Sequence, residues 1–199
     1  TLVTSGLLFD WSRAFAADGT LKVQKVALNF PHFPDRLHTF VWRNWNLVPT
    51  ERIASVLGAT QLQVLGLGKS MGLTAPAPVS AEQWSRSYIT IIRRNWHLLP
   101  NSQLEKLLGW TGEHLEFTLQ EDDFLNVKLG NQKPECEPLE WSDATPVQKE
   151  REKWIQKVIK EEFGVLLSAR KEPLFHFVRE LSAPPKQKVE PLKSGFSPR

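Results

Sequence analysis

The chain has 199 residues, 41% of them hydrophobic and 24% charged, enough to bury a core but short of the roughly 250 residues of an eight-stranded α/β barrel. No run approaches the roughly 20 apolar residues a membrane helix needs, and one cysteine, Cys136, rules out a disulfide framework or thiolate metal cluster within the chain. The net charge of +3 conceals a pattern: residues 1–80 carry seven basic and four acidic side chains, residues 81–143 six and eleven, and residues 144–199 twelve and seven. The acidic middle third argues against an extended nucleic-acid face, which needs basic groups where the reading element lies. The chain starts at Thr1 with no basic-then-apolar leader, as expected of a cytoplasmic chain or a piece of a longer one.

In chain order, residues 1–36 read as a lead-in. Leu21 to Val26 alternates like a strand, and Asp18-Gly19 offers a hairpin turn. An internal repeat follows. Arg43-Asn44-Trp45-Asn46-Leu47-Val48-Pro49 returns 51 residues later as Arg94-Asn95-Trp96-His97-Leu98-Leu99-Pro100, and eight of the eighteen residues from 43 to 60 are identical to their counterparts. Two copies, 37–73 and 84–143, are too few for a solenoid. A 74–83 linker, rich in Pro and Ala, separates them.

Each copy predicts three helices. Leu37, Phe40, Val41, Asn44 and Trp45 share one face of the first, and Tyr88, Ile92 and Trp96 one face of its counterpart. The β-branched run Ile89-Thr90-Ile91-Ile92 leaves a strand at 88–93 as the alternative. Pro49 and Pro100 suit the first position of a second helix, which stops at Gly58 or Gly109. Thr60 and Thr111 then cap a third, with Gln63 completing a capping box. Trp45, Trp96, Leu57, Leu108, Gly58 and Gly109 are candidate core.

The spacing of Ala54, Gly58 and Val64 resembles a helix-turn-helix unit, a shape that does not by itself imply DNA binding. Arg43, Arg52, Gln61, Gln63 and Lys69 are the candidate nucleic-acid contacts of the first copy. The third helix of the second copy would present Glu113, Glu116, Gln120, Glu121, Asp122 and Asp123, whose carboxylates repel phosphates.

Farther on, Gly130-Asn131 predicts a small hairpin over 124–141. Thr145-Pro146-Val147-Gln148 starts a long helix expected to run to Phe163 and end at Gly164, and a shorter helix spans 173–182, closing a 144–182 segment. The basic tail, 183–199, reads as disordered. The expectation is a mainly α protein of two tandem tri-helical helix-turn-helix-like units plus a long C-terminal helix, with minor β hairpins.

Chemistry is sparse. Gly66-Leu67-Gly68 lacks the third glycine and preceding strand of a phosphate loop, His32, His38, His97, His114 and His176 show no ligand spacing, and Cys136 has no base beside it in sequence. No catalytic residue, metal or cofactor is expected. Trp42, Trp84, Trp141 and Trp154, with Ile155, Val158 and Ile159, are candidate contacts for a partner protein or a carbohydrate.

His38 to Trp45, Ser87 to Thr90, Arg94 to Pro100, Leu108 to Thr111, Glu121 to Leu125 and Pro173 to Leu181 together resemble a segment of large, uncharacterised bacterial glycoside-hydrolase-type proteins, over roughly 37–183. The resemblance implies a helical N-terminal module ahead of a barrel domain, with the catalytic carboxylates outside this chain. The function expected is therefore a non-catalytic accessory module that docks on a neighbouring domain or partner. DNA binding through the first copy and carbohydrate binding through exposed tryptophans are the alternatives.

Overall fold

The computed structural model describes residues 26–122, 124–168 and 176–184. These fall into two compact units that divide after Glu162. The strand-like run ahead of Val26, the Asp18-Gly19 turn and nearly all of the 183–199 tail lie outside the described residues.

The first repeat folds into α1 (Arg36–Asn44), α2 (Thr50–Leu57) and α3 (Gln61–Ser70). The second folds into four helices before residue 122 where three were expected: α4 (Ala81–Arg86), which Ser80 caps inside the expected 74–83 linker, α5 (Tyr88–Asn95), α6 (Asn101–Leu108) and α7 (Gly112–Glu121). The β-branched run from Ile89 is helical because burial outweighs propensity: Ile91 and Ile92 are fully enclosed. Pro49 and Pro100 occupy the N-cap, one residue earlier than expected. Gly58 and Gly109 are exposed rather than core, because they end their helices in the left-handed region, at φ 67° and 73°, where a Cβ would be strained. Thr60 and Gln63 form the capping box, and Thr111 accepts from the His114 amide.

The repeats pack through equivalent elements, α1 on α5 and α2 on α6. Contacts across the seam are reciprocal. Arg43 Nε donates to the Arg94 carbonyl (2.9 Å) and Arg94 Nη1 to that of Arg43 (2.5 Å). Arg52 reaches the Leu107 carbonyl (3.4 Å), and its counterpart Gln103 reaches that of Val56, the counterpart of Leu107 (3.3 Å). When residue i bonds j and the equivalent of i bonds the equivalent of j, the interface is isologous, as in a two-fold dimer. The seam between the two segments is thus two-fold-like in these contacts, around a core that includes Phe40, Ile53, Trp45, Ile92, Leu104 and Trp96.

The hairpin expected over 124–141 does not form. Residues Leu125–Lys128 make a short helix, α8, and the chain then runs extended across both repeats. One glutamine fastens it: Gln103 Oε1 accepts from the Leu139 amide (2.8 Å) and Nε2 donates to the Leu139 carbonyl (2.7 Å). The Trp141 amide bonds the Leu57 carbonyl at 2.9 Å. A hairpin is unnecessary because this segment's polar backbone finds partners on the helices. Among the described residues, β structure is confined to one parallel bridge, Val26 with Glu135.

Helix α9 (Pro146–Ser168) begins with the expected box, Thr145 and Gln148 exchanging backbone and side-chain bonds. It runs through Gly164 rather than ending there, since an isolated glycine costs a helix only about 1 kcal/mol. Ile155 and Ile159 enter the core of the first unit. In the second unit α10 (His176–Ser182) leaves Phe177 and Leu181 exposed. No helix among the described residues is long and apolar enough to cross a membrane.

Candidate functional site: an aromatic cleft in the second repeat

A cleft of about 450 Å³ opens beside α4, α5 and α7, within the range of small-group binding sites. Trp84 comes from α4, Tyr88 from the first turn of α5, Trp110 from the turn after Gly109, and His114, Thr118 and Asp122 from α7 and its C-cap. Trp110 stacks on His114 with ring centroids 4.2 Å apart and packs at a tilt against Tyr88 at 5.5 Å. The Tyr88 hydroxyl donates to Asp122 Oδ2 at 2.8 Å, which orients the carboxylate. On Trp84, the Arg52 guanidinium lies 4.7 Å from the ring centroid.

The first repeat closes the same place. At the 51-residue offset, Tyr88, Trp110, Thr118 and Asp122 correspond to Leu37, Ala59, Leu67 and Met71. Leu37, Leu67 and Met71 are buried core. Where the first copy buries Leu37 and Met71, the second leaves Tyr88 and Asp122 half-buried in the lining of the cleft, while Thr118 stays buried like Leu67.

The second polar cluster is Asp35, His38 and Glu152. His38 is 1% exposed, with Nδ1 2.6 Å from Asp35 Oδ1 and Nε2 2.8 Å from Glu152 Oε1. Gln148 Nε2 donates to the other Asp35 oxygen at 2.6 Å. Burial opposes the imidazolium, but the hydrogen bonds and charges of the two carboxylates outweigh it, so the His38 pKa is raised. The ring is sealed from solvent, and the cluster acts as a clasp between α1 and α9.

The remaining candidate residues lie elsewhere. Arg43 and Arg52 are half-buried on the seam. Gln61 bonds Thr50 and Glu51, Gln63 serves its capping box, and Lys69 is exposed. Trp42 packs against Phe33 at 5.5 Å, and Trp141 is half-buried beside the extended segment with its buried Nε1 lacking a partner. Trp154 is 45% exposed, with the Arg151 guanidinium 3.9 Å from its ring centroid. Ile155 and Ile159 are buried and Val158 half-buried, so the α9 stripe faces inward. The structure brings none of the nucleic-acid candidates to the cleft's lining, and of the candidate tryptophans only Trp84 lines it. Spacing along the chain does not single out Tyr88, Trp110, His114 and Asp122 as a set. Their signal is the contrast with the equivalent positions of the first repeat.

Among the described residues no group of three or more His, Cys, Asp or Glu is placed to hold a metal ion. No family model matches the chain, and no curated protein or solved structure matches it significantly.

Proposed function

We propose that the chain is a non-catalytic interaction module that docks on a partner polypeptide through its second repeat, and that it serves a larger glycosidase-like protein as an accessory part. The observation that carries the reading is the asymmetry between the copies: the first seals its core where the second opens the cleft. Close in sequence to the cleft residues Thr118 and Asp122, Phe117 on α7, Phe124 at the turn and Val127 on α8 are 65%, 77% and 61% exposed. Large apolar side chains left in solvent near carboxylates suit a partner that is both apolar and basic. Helix α7 exposes Glu113, Glu116 and Glu121 where a DNA reader would place Arg, Lys, Asn or Gln.

The test is parallel binding of the 199-residue chain to an array of basic, apolar peptides, to a glycan array, and to random-sequence duplex DNA at low and moderate salt. The expected result is peptide binding that Phe117→Ser weakens. Binding to oligosaccharides alone, or duplex binding that falls steeply with salt, overturns the proposal in favour of a carbohydrate or nucleic-acid module.

A further inference from the structure

We infer that the aromatic cleft receives the guanidinium group of an arginine side chain carried by the partner polypeptide, a specificity that rests on the interaction-module reading above. Three aromatic rings, Trp84, Tyr88 and Trp110, line one small cleft with one carboxylate, Asp122. Ring faces carry the negative part of the aromatic quadrupole and attract cations, indole most strongly. Asp122 supplies a full negative charge among them. It stands at the C-cap of α7, where the helix dipole presents its negative end. Glu121 is its neighbour, and Glu113 and Glu116 lie on the same helix.

The cleft is also set before any ligand arrives. His114 backs Trp110, Tyr88 abuts it, and the Tyr88 hydroxyl fixes the carboxylate. A site whose rings and acceptor are already oriented loses little freedom on binding.

Among cations the cleft favours guanidinium over ammonium. A guanidinium is planar and weakly hydrated, so it both stacks on rings and meets a carboxylate edge, whereas an ammonium is a strongly hydrated point charge. The protein already makes this pairing: Arg52 lies over Trp84 while donating to the Leu107 carbonyl. Arg52 also brings positive charge to one side of the cleft, and Asp122 with the α7 carboxylates opposes it. Arg86, on the same helix as Trp84, is paired with Glu82 at 3.1 Å. The 47° tilt between Tyr88 and Trp110 makes a corner rather than the flat platform that suits a sugar face.

The experiment is a titration of the isotope-labelled full chain with N-acetyl-arginine methylamide and with its neutral isostere, N-acetyl-citrulline methylamide, followed by NMR. Spectra of Trp84→Phe and Trp110→Phe assign the indole N–H resonances. The arginine compound is expected to shift both resonances, with citrulline at least about five-fold weaker and the lysine analogue intermediate, as the loss of a cation–π and charge-assisted contact implies. Asp122→Asn is expected to weaken the arginine compound by a similar factor. Should that variant misfold, the comparison of arginine with citrulline on the unaltered chain still decides the question. Equal binding of arginine and citrulline, silence of both resonances, or a preference for cello-oligosaccharides or choline overturns the inference. If the arginine probe fails while peptides still bind and Phe117→Ser still weakens them, the cleft assignment falls and the module reading stands. If the probe succeeds but no peptide binds better than the free side chain, the module reading falls alone.

Discussion

Asn44 and Asn95, 51 residues apart and both fully buried, bond each other twice: each Nδ2 donates to the other's Oδ1 at 2.8 Å. Each amide spends its second hydrogen on the carbonyl four residues earlier in its own helix, Phe40 or Ile91, also at 2.8 Å. Both amino groups are therefore satisfied at the seam between the repeats, in surroundings where an unpaired one would be costly. This pairing also selects one register of α1 against α5, because sliding either helix by a turn would strand both amides.

Removing one partner leaves the other buried and half-satisfied. Asn44→Ala is expected to lower stability by about 1–3 kcal/mol beyond any cavity effect. In Asn44→Leu/Asn95→Leu neither orphan remains, so the double variant should be less destabilised than the two single changes together by about 0.5–3 kcal/mol. Urea unfolding of the parent, the two single leucine variants and the double variant measures the coupling. Strict additivity would mean that the pair contributes nothing as a pair.

Two glycines of α3 predict opposite outcomes. A Cβ on Gly66 would meet nothing within 4 Å, so Gly66→Ala is expected to stabilise by about 0.5–1 kcal/mol through helix propensity alone. A Cβ on Gly68 would collide with the six-membered ring of the Trp45 indole. Gly68→Ala must displace that buried side chain, and a cost of about 1–3 kcal/mol is expected. Thermal unfolding should move the two variants to opposite sides of the parent.

The clasp on His38 makes stability depend on pH. The folded His38 pKa lies above its unfolded value of about 6.5, so its contribution is full below that pH and is lost as pH rises through the raised folded value. For Asp35, burial raises the pKa but the His38 hydrogen bonds and charge lower it further; its contribution is full above about 3.8 and is lost as pH falls through the lowered value. The clasp is therefore strongest between about pH 4 and 6.5. His38→Gln is expected to cost about 3–5 kcal/mol at pH 6, as for breaking a buried ion pair, and less at pH 9. Urea midpoints of parent and variant across this range test it, and a penalty that does not shrink at high pH contradicts the charged clasp.

Phe124 sits at φ 52° and ψ 34° with its ring 77% exposed. The left-handed region costs a residue with a Cβ about 1–2 kcal/mol, and an exposed ring recovers little of it by packing. Phe124→Gly is expected to raise stability by about 1 kcal/mol while weakening peptide binding, a trade of stability for contact. Calorimetry and the peptide array read the two halves separately. A variant that gains stability and keeps full binding removes Phe124 from the docking surface.

Apart from α4, which starts in the expected linker, the helices of each repeat were legible because their signals are local. A buried face recurs every three to four residues, and Gly58, Gly109, Thr60 and Thr111 punctuate the ends through backbone conformations that depend only on near neighbours. The expected hairpin over 124–141 failed for the opposite reason. Its turn signal is local, but the bonds that hold the segment come from Gln103 and Leu57, far away in sequence. The α9 stripe was visible as apolar, yet nothing local says that Ile155 and Ile159 face this chain's own core instead of a partner.

By itself the sequence determined that the chain is mainly α and that helices end at Gly58 and Gly109 and begin after Thr60 and Thr111, since periodicity and capping are short-range. Tertiary structure alone decided that the copies face each other reciprocally, that Asn44 meets Asn95, and that His38 is closed between Asp35 and Glu152. It also decided that Tyr88, Trp110 and Asp122 line a cleft where Leu37, Ala59 and Met71 surround packed core. Those relationships join residues tens of positions apart, and no spacing rule along the chain encodes which surfaces will exclude water together.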